Sequence, residues 1–311
     1  METEREIIII GGGVAGMSAA QYAARANSDA LVIEEMAPGG QSLLISDLEN
    51  YPGFDEPISG IALSQKMEKQ AKAFGADFLS TSVKSLKKEG SVFTVETGKG
   101  TFTAMAVIIA TGAKHRHLDI PGEKEFSGRG VSYCATCDGP FFRNKKILVV
   151  GGGDAACDEA MFLAKLNDKL VVVHRRDRFR AQKSLADRVL NNKNIDVRFN
   201  TTAKEIRGGT QVEKVVLTRT DTGEEYEEEF DAVFIFVGSI PQTALVPDVP
   251  KDEAGFILTD QRMETNVPGL FAVGDLRATP FRQIVVAAAD GAIAAHVAVQ
   301  HIDDLKGQAY E

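Results

Sequence analysis

The sequence predicts an α/β protein with two related units built on parallel sheets, the second inserted into the first. The main observation is a repeat about 140 residues apart: a strand, a glycine turn and a helix read IIIIGGGVAGMSAAQYAA at 7–24 and ILVVGGGDAACDEAMFLA at 147–164. A later strand ends in a glycine and an acid at 274–275 and precedes a long Ala-rich helix, as a return to the first unit requires. The chain has 311 residues, of which 44% are hydrophobic, and this is enough to bury the cores of two domains.

The first copy begins with the run Ile7–Ile10, which is typical of a parallel strand buried on both faces. The turn that follows has the spacing G-x-G-x-x-G. Gly11 permits the tight turn, Gly13 lets a pyrophosphate approach the backbone at the helix N-terminus, and Gly16 lets the helix pack closely on the strand. A plain glycine turn is the alternative. The order of strand, turn and helix favours a Rossmann-like unit that binds a cofactor containing adenosine diphosphate, with Ala15 also in the binding turn.

An acidic pair follows the next predicted strand. The run from residue 30 to residue 33 ends in Glu34 and Glu35, at about the distance downstream where a carboxylate binds a ribose hydroxyl. Because Glu34 comes first after the strand, we expect Glu34 to bind the ribose, with Glu35 as the second choice.

Two glycine-containing segments next along the chain have an open interpretation. Gly39, Gly40 and Gln41, and then residues 49–53 with Asn50, lie in a region poor in helical periodicity. Turn chemistry alone explains the Gly and Pro residues there, and a long loop folded over a ligand is the alternative. A helix is predicted over 58–74 and strands over 92–95, 101–103 and 107–110. The last strand ends in small residues that fit either a turn or the close approach of a cofactor, namely Ala110, Thr111 and Gly112.

The stretch CATCD at 134–138 carries the redox chemistry. Cys134 and Cys137 are spaced to form a small disulfide ring, and the thiolate is the reactive form of such a pair. Asp138 follows directly and could transfer protons as the ring opens and closes. The alternative, half of a zinc site, needs a second Cys/His pair, and Cys157 has no such partner in the sequence. A CxxC beside a βαβ pattern favours a redox dithiol, so we expect no metal.

The second glycine turn differs from the first in the charge that follows it. Its binding residues are predicted to be Gly151, Gly153, Asp154 and Ala155, with an alanine in the third glycine position. After the strand at 169–173, where an acid would hold a free 2′-hydroxyl, the chain has a basic run instead. A solvated basic turn is the alternative, but guanidinium groups at this position can bind a 2′-phosphate. NADPH is therefore the expected ligand, held by His174, Arg175, Arg176 and Arg180, with Arg178 as a spare.

The last segment returns to the first unit. Strands are predicted over 196–199, 212–220, 226–230 and 232–237. Gly274 and Asp275 then end a short strand, and the acid could accept a hydrogen bond from the ribityl chain of a flavin. A long helix is predicted to begin at Arg282, Gln283 and Ile284, where a helix N-terminus would stabilise negative charge on a reduced flavin. A plain helix cap is the alternative.

Composition excludes several other classes of protein. The net charge of −9 argues against nucleic acid as a partner, because phosphate binding needs a basic face. No apolar run was expected to approach the roughly 20 residues of a membrane span. Three cysteines and the lack of a basic leader before the first strand predict a cytoplasmic protein.

The motifs together resemble the low-molecular-weight thioredoxin reductases, within the pyridine nucleotide-disulfide oxidoreductases, almost from end to end. The matching pieces are GGGVAG at 11–16, GGQ at 39–41, ENYPG at 49–53, ATGA at 110–113, CATCDG at 134–139, GGGDAA at 151–156, HRRDRFRA at 174–181, GD at 274–275 and RQ at 282–283. The resemblance implies a homodimeric FAD enzyme that reduces thioredoxin with NADPH. It also implies an FAD domain over residues 1–115 and 244–311 and an NADPH domain with the CxxC over residues 116–243.

The resemblance further implies a role for individual residues. Cys137 would lie nearer the flavin, Cys134 would attack the partner protein, and Asp138 would act as acid and base. Contacts to FAD would come from Gln41, Asn50, Asp275 and Gln283. Crossings near 113–117 and 242–247 would act as hinges, so that the inserted domain presents the nicotinamide and the disulfide to the flavin in turn.

Two alternatives remain open at this stage. The acceptor could be a peroxiredoxin-like or glutaredoxin-like protein, with the same chemistry. The chain could also be a non-catalytic flavin redox sensor, although a complete NADPH site would be unnecessary in a sensor.

Overall fold

The computed structural model describes residues 3–45 and 48–308. The chain divides into two compact units, Met1–Lys114 with Ile240–Glu311, and His115–Ser239. Each unit contains a sheet with a parallel core, flanked by helices, so the predicted α/β class with two Rossmann-like units, one inserted into the other, is confirmed. Which cofactor each unit binds stays a prediction at this point.

The first unit is built from the two ends of the chain. Its strands and helices in chain order are β1 Glu4–Ile10, α1 Val14–Arg25, β2 Ala30–Glu34, a 3₁₀ helix Gly40–Leu44, α2 Gly60–Ala73, β3 Asp77–Ser80, β4 Val83–Glu89, β5 Val92–Thr97, β6 Gly100–Ile109 and β7 Ala113–His115. After the inserted unit and one short strand at the crossing, the first unit continues with a strand Leu270–Ala272, a 3₁₀ helix Gly274–Leu276 and a helix Ile284–Lys306.

The parallel core of this sheet places the predicted binding turn at one edge. The strand order is β3-β2-β1-β6-β5-β4, and the strand Leu270–Ala272 pairs with β6. Ile10 of β1 lies opposite Ile109 of β6 in a parallel register, so the turn after Ile10 and the turn after Ile109 leave the same edge. Ligands of open α/β sheets bind at such carboxyl ends.

The inserted unit repeats this arrangement. Its elements are β8 Val131–Ser132, α3 Ala135–Asp138, a 3₁₀ helix Gly139–Phe142, β9 Ile147–Gly151, α4 Asp154–Ala164, β10 Leu170–His174, α5 Lys183–Leu190, β11 Ile195–Phe199, β12 Thr201–Gly208, β13 Val212–Arg219, β14 Glu225–Glu229 and β15 Ala232–Phe236. The parallel sheet has the order β11-β10-β9-β15-β8, and β12, β13 and β14 form a separate antiparallel sheet. The carboxyl ends of β9 and β10 carry the second glycine turn and the basic run.

The chain passes between the units twice. The strand β16, Ser239–Pro241, pairs with β7 as a two-stranded sheet at these crossings. Within the first unit the two crossings are also joined side by side: the Gln242 amide donates to the Thr111 carbonyl at 2.6 Å, and the Thr111 hydroxyl donates to the Gln242 carbonyl at 2.6 Å. The strand Leu270–Ala272 is then β17 and the helix Ile284–Lys306 is α6.

The helix α6 corrects the expectation about apolar runs. Among residues 3–45 and 48–308 it is the one helix long and apolar enough to cross a membrane by length and composition, with a mean hydropathy of 1.4 in an 18-residue window. It nevertheless packs along α1: the Ser18 hydroxyl donates to the Ala288 carbonyl at 2.6 Å, and Gly291 lies against the Ala15 carbonyl. Asp290 in this helix is buried and paired with Arg277. These contacts pack one face of α6 against α1, and 33% of the apolar window of α6 is buried.

Candidate active site

The first glycine turn has no space for side chains at two of its three glycines. A Cβ atom on Gly11, whose φ is +107°, would lie 2.4 Å from the Ala110 carbonyl oxygen, and one on Gly16 would lie 1.9 Å from the Gly11 carbonyl oxygen. At Gly13 the nearest atom to such a Cβ is 4.0 Å away. The backbone is therefore closely packed on the sheet side and open at the N-terminus of α1, where a pyrophosphate would lie.

Glu34, rather than Glu35, reaches this turn. One carboxylate oxygen of Glu34 accepts the Gly12 N–H at 2.6 Å, and the other accepts the Met36 N–H at 2.9 Å. Glu35 is exposed. The geometry thus favours the first choice of ribose ligand, because a fixed acceptor at the end of β2 is what a ribose hydroxyl requires.

The loop that contains Gly39, Gly40 and Gln41 lies at the same edge of the sheet. The Gly39 N–H donates to the Gly12 carbonyl at 2.8 Å, and Gly40 begins the 3₁₀ helix beside it. The Gln41 amide donates to the Ala113 carbonyl at 2.9 Å. Since these bonds draw the loop over the turns after β1 and β6, a loop folded over a ligand describes it better than a surface turn.

The remaining flavin-side residues come from the end of the chain. The Asn50 amide donates to the Gln283 side chain at 3.0 Å, and Gln283 is the residue before α6, which begins at Ile284. Arg282 lies outside the helix, with its guanidinium 3.8 Å from the centre of the Phe256 ring. Burial raises the pKa of Asp275, and the positive charge of Arg282 partly opposes this.

Residues of the first unit therefore fit a dinucleotide cofactor. A glycine turn without side chains, an acid fixed at the end of the next strand and the acid Asp275 at the end of β17 lie at the carboxyl ends of parallel strands of one sheet. Gly274 begins the 3₁₀ helix that follows β17, and its N–H donates to the buried Asp290 carboxylate at 3.1 Å.

The second glycine turn has the same construction. A Cβ on Gly151 would lie 2.4 Å from the Phe236 carbonyl oxygen, whereas one on Gly153 would meet nothing within 4 Å. The Asp154 carboxylate accepts the Gln182 backbone N–H at 2.8 Å and its side-chain amide at 2.9 Å, and Ala155 is exposed. Backbone at the N-terminus of α4 is again open to a ligand.

The basic run lies over this second turn. The Arg180 N–H donates to the Gly152 carbonyl at 2.7 Å, and the His174 ring packs against Gly152. His174 is only 8% exposed, and burial lowers the pKa of its imidazole, assisted by the charges of Arg175, Arg176 and Arg180. These three exposed guanidinium groups pair with no carboxylate in the part of the chain that the structure describes. Unpaired cations held close together are what a phosphate site needs.

The CxxC segment forms a short helical turn closed by a disulfide. Cys134 caps α3 and is joined to Cys137, with their Cα atoms 5.4 Å apart. The Cys137 N–H also donates to the Cys134 sulfur at 3.1 Å. Cys137 is exposed, while Cys134 and Asp138 are half-buried. The pair is thus formed as the spacing predicts, and Cys137 is the more exposed of the two residues.

Several residues near these sites were not predicted from the sequence. Tyr133 directly precedes Cys134, and its hydroxyl donates at 2.7 Å to Glu123, which is 0% exposed. Glu159 lies behind α3. Only Glu159 had a usable signal, because the helical spacing places it beside Ala156, Ala160 and Leu163 on the buried side of α4. The other contacts join residues too far apart in sequence for local patterns to predict.

Comparison with known proteins establishes the family of this chain. The model of the pyridine nucleotide-disulphide oxidoreductase family matches residues 5–291. The chain is 56% identical over 306 residues to a thioredoxin reductase of Treponema pallidum, covering 98% of this chain and 100% of that protein. It is 48% identical to a thioredoxin reductase of Listeria innocua, covering 97% and 95% of the two chains. The crystal structure of thioredoxin reductase from Lactococcus lactis superposes with a TM-score of 0.94 at 43% identity, covering 96% and 99%. The family expected from the motifs is confirmed, and the chain belongs to the pyridine nucleotide-disulphide oxidoreductases.

Proposed function

We propose that the protein is an NADPH-dependent thioredoxin reductase, a flavoenzyme that transfers electrons through Cys134 and Cys137. The observation that carries the proposal is the disulfide in the inserted unit, beside a glycine turn flanked by unpaired arginines. The relatives named thioredoxin reductase, matched over nearly the whole chain, support the same substrate.

FAD belongs to the first unit and NADPH to the second in this proposal. The FAD-side residues are Gly11, Gly13, Ala15, Gly16, Glu34, Gly40, Gln41, Asn50, Ala110, Thr111, Gly112, Gly274, Asp275, Arg282, Gln283 and Ile284. The NADPH-side residues are Gly151, Gly153, Asp154, Ala155, His174, Arg175, Arg176 and Arg180. FAD supplies a carrier that takes two electrons from NADPH and passes them to a disulfide. The protein's own part is to hold both cofactors and to manage the sulfur and proton chemistry.

The sulfur chemistry proceeds in balanced steps. The Cys134–Cys137 disulfide accepts two electrons and one proton, giving one thiol and one thiolate. The Cys134 thiolate attacks one sulfur of the protein disulfide, forming a mixed disulfide and releasing the other sulfur as a thiolate. Cys137 then attacks Cys134, which restores the internal disulfide and frees the second thiol of the substrate. Asp138, directly after Cys137, transfers the protons that these steps exchange.

The remaining parts of the proposal concern assembly and location. The enzyme reduces the disulfide of thioredoxin and works as a homodimer in the cytoplasm. It has no role on nucleic acid, since its net charge of −9 opposes phosphate binding, and none in a membrane, since α6 is packed on α1.

An activity assay with two variants tests this function. Purified protein with FAD, NADPH and oxidised thioredoxin should oxidise NADPH, followed at 340 nm. Cys134→Ser and Cys137→Ser should each keep bound FAD and its bleaching by NADPH but lose thioredoxin reduction. A protein that binds no flavin, or turnover that survives either substitution, would contradict the proposal. Fast bleaching with no turnover on thioredoxin would instead indicate another protein disulfide as the acceptor.

A further inference from the structure

Glu159 is a half-buried acid directly behind the redox turn. It lies on the side of α4 that also buries Ala156, Ala160 and Leu163, and α4 packs against α3. One carboxylate oxygen accepts the backbone N–H of Ala135, the residue after Cys134, and Ala135 is itself 0% exposed. The other oxygen, Oε2, is buried and has no hydrogen-bond partner among the described residues. The carboxyl group thus touches the redox turn but takes no part in the steps derived above.

The surroundings of Glu159 contain little charge that would keep it ionised. Of the elements packed against α4, α3 carries Asp138 and the disulfide, α5 carries Lys183, Asp187 and Arg188, and strands β9, β10 and β15 contribute only His174. On α4 itself, Asp154 lies at the N-terminus and Asp158 is adjacent. Burial, followed by the negative charge of Asp158, raises the pKa of Glu159 to about 7, and the Ala135 N–H opposes the rise.

We propose that Glu159 is a positioning residue of the redox centre, which fixes the CATC turn through Ala135 and changes its charge together with the reduced Cys134–Cys137 pair. The inference rests on the proposed dithiol chemistry and adds to it a group that none of those steps uses. Because Glu159 contacts neither sulfur, it acts through the turn and through its charge.

The coupling follows from the electron and proton balance. Reduction of the disulfide by two electrons and one proton leaves one thiol and one thiolate. An ionised Glu159, bonded to the N–H of Ala135, and a thiolate on the adjacent Cys134 would place two negative charges at one half-buried turn, and like charges disfavour each other. The reduced protein therefore binds a second proton, from solvent, on Glu159, and releases it when the disulfide re-forms. Near neutral pH, reduction takes up more than one proton for two electrons.

Alkylation of the reduced protein tests this without any acceptor protein. The rate of reaction with iodoacetamide is measured from pH 5 to pH 10 for the wild type and for Glu159→Gln, which keeps an oxygen for the Ala135 N–H but cannot ionise. The wild type should show an inflection near pH 7 in addition to that of the thiol. Glu159→Gln should lose this inflection, and its alkylation at pH 8 should rise by about twofold to tenfold, as expected for a thiol pKa lowered by up to about one unit.

Control variants separate the effect of the Glu159 charge from the effect of its hydrogen bond to Ala135. Asp187→Asn removes an exposed acid on the neighbouring helix α5 and should retain the wild-type profile. Glu159→Ala should lose the same inflection as Glu159→Gln and also lower the melting temperature, because Ala135 loses its acceptor. A wild-type profile in Glu159→Gln would overturn the proposal and leave Glu159 a purely structural residue.

A measurement on the unaltered protein covers the case in which the variants fail to fold. The reduced-minus-oxidised infrared difference spectrum at pH 7 should gain the carbonyl stretch of a protonated carboxyl group. Absence of that band would also overturn the proposal. If NADPH fails to reduce thioredoxin while the alkylation profile behaves as expected, the proposed function fails and the coupling stands, so the two failures are distinguishable.

Discussion

Gly291 lies where two helices of the first unit come into backbone contact. A Cβ at this position would lie 2.1 Å from the Ala15 carbonyl oxygen, which belongs to the binding turn's own helix. Glycine in a helix interior costs roughly 0.5–1 kcal/mol relative to alanine, so its presence needs a reason. The close approach of α6 to α1 supplies that reason, because backbone atoms cannot move aside as a flexible side chain can.

Gly291→Ala should therefore destabilise the protein in spite of its better helix propensity. Overpacking typically costs about 1–3 kcal/mol, which exceeds the propensity gain. We expect a lower melting temperature and weaker retention of FAD, measured by thermal denaturation and flavin fluorescence. The control is Gly209→Ala, where a Cβ would meet only the Glu213 side chain, at 3.4 Å, in an exposed turn. Equal stability of the two variants would contradict the argument.

The arginines after β10 were predicted from sequence position alone, and the structure distinguishes among them. Burial, followed by the charges of Arg175, Arg176 and Arg180, lowers the pKa of His174, and Arg178 is not among these causes. The effect of all three charges on one buried imidazole supports a common site for them. Their contacts with a 2′-phosphate stay a prediction.

Replacing Arg175, Arg176 and Arg180 together by alanine should change the preference between nicotinamide cofactors. Each charge-assisted hydrogen bond contributes about 1.5–3 kcal/mol, so the ratio of kcat/KM for NADPH to that for NADH should fall by at least about 100-fold. Steady-state kinetics with both cofactors measures the ratio. The control is Arg178→Ala, which removes one positive charge from the same basic run. A parallel loss for NADPH and NADH would mean that another group holds the 2′-phosphate.

At the scale of elements, the buried parallel strands were predictable and the half-exposed elements were not. Strands such as β1 and β9 are continuous apolar runs, so the sequence predicts them to within a few residues. β4, with the sequence VKSLKKE, has no fully buried residue and contains three lysines. Its hydrophobic pattern therefore resembles that of a loop. The predicted strands at 101–103 and 107–110 are one strand, β6, because a strand shared by antiparallel β5 and parallel β1 changes its pattern along its length.

One buried ion pair holds α6 to the end of β17. The Arg277 guanidinium and the Asp290 carboxylate lie 3.2 Å apart, with their side chains 13% and 6% exposed. The same carboxylate accepts the N–H of Gly274, next to Asp275. No local pattern predicts this pair, since the partners lie on different elements and an acid in the apolar part of α6 resembles a surface position.

Asp290→Ala should therefore destabilise the first unit more than a surface change does. Removing one partner of a buried pair leaves the other charge uncompensated, which costs about 3–5 kcal/mol. We expect a large fall in the midpoint of urea unfolding and loss of bound FAD, because Gly274 also loses its acceptor. Asp304→Ala, in the exposed last turns of the same helix, should shift the midpoint little. Similar midpoints for both variants would show that the pair adds no net stability.

At the scale of the whole molecule, the sequence predicted two sheets and an insertion because both leave strong local marks. The glycine turn occurs twice, and a glycine and acid at 274–275 belong to the first sheet, where β17 pairs with β6. The crossings carry weaker marks. Their pairing of β7 with β16, and the Thr111–Gln242 bonds, join residues about 130 positions apart, beyond the range of any periodicity.

The hinge at these crossings is the last prediction. Hydride transfer requires the nicotinamide at the flavin, and disulfide reduction requires the CATC turn there, yet the proposed NADPH-binding residues and the CATC turn both lie within residues 115–239. If they alternate, a covalent tether between the two units must block at least one half-reaction.

The protein is crosslinked with a lysine-reactive bifunctional reagent, and mass spectrometry identifies the preparations in which the two units are linked. We expect at least about tenfold slower thioredoxin turnover, with either flavin bleaching by NADPH or oxidation of the reduced flavin by the disulfide also slowed in stopped flow. The monofunctional reagent, which modifies the same lysines, should leave all three rates unchanged. Tethered protein with both half-reactions at full rate would exclude the alternation.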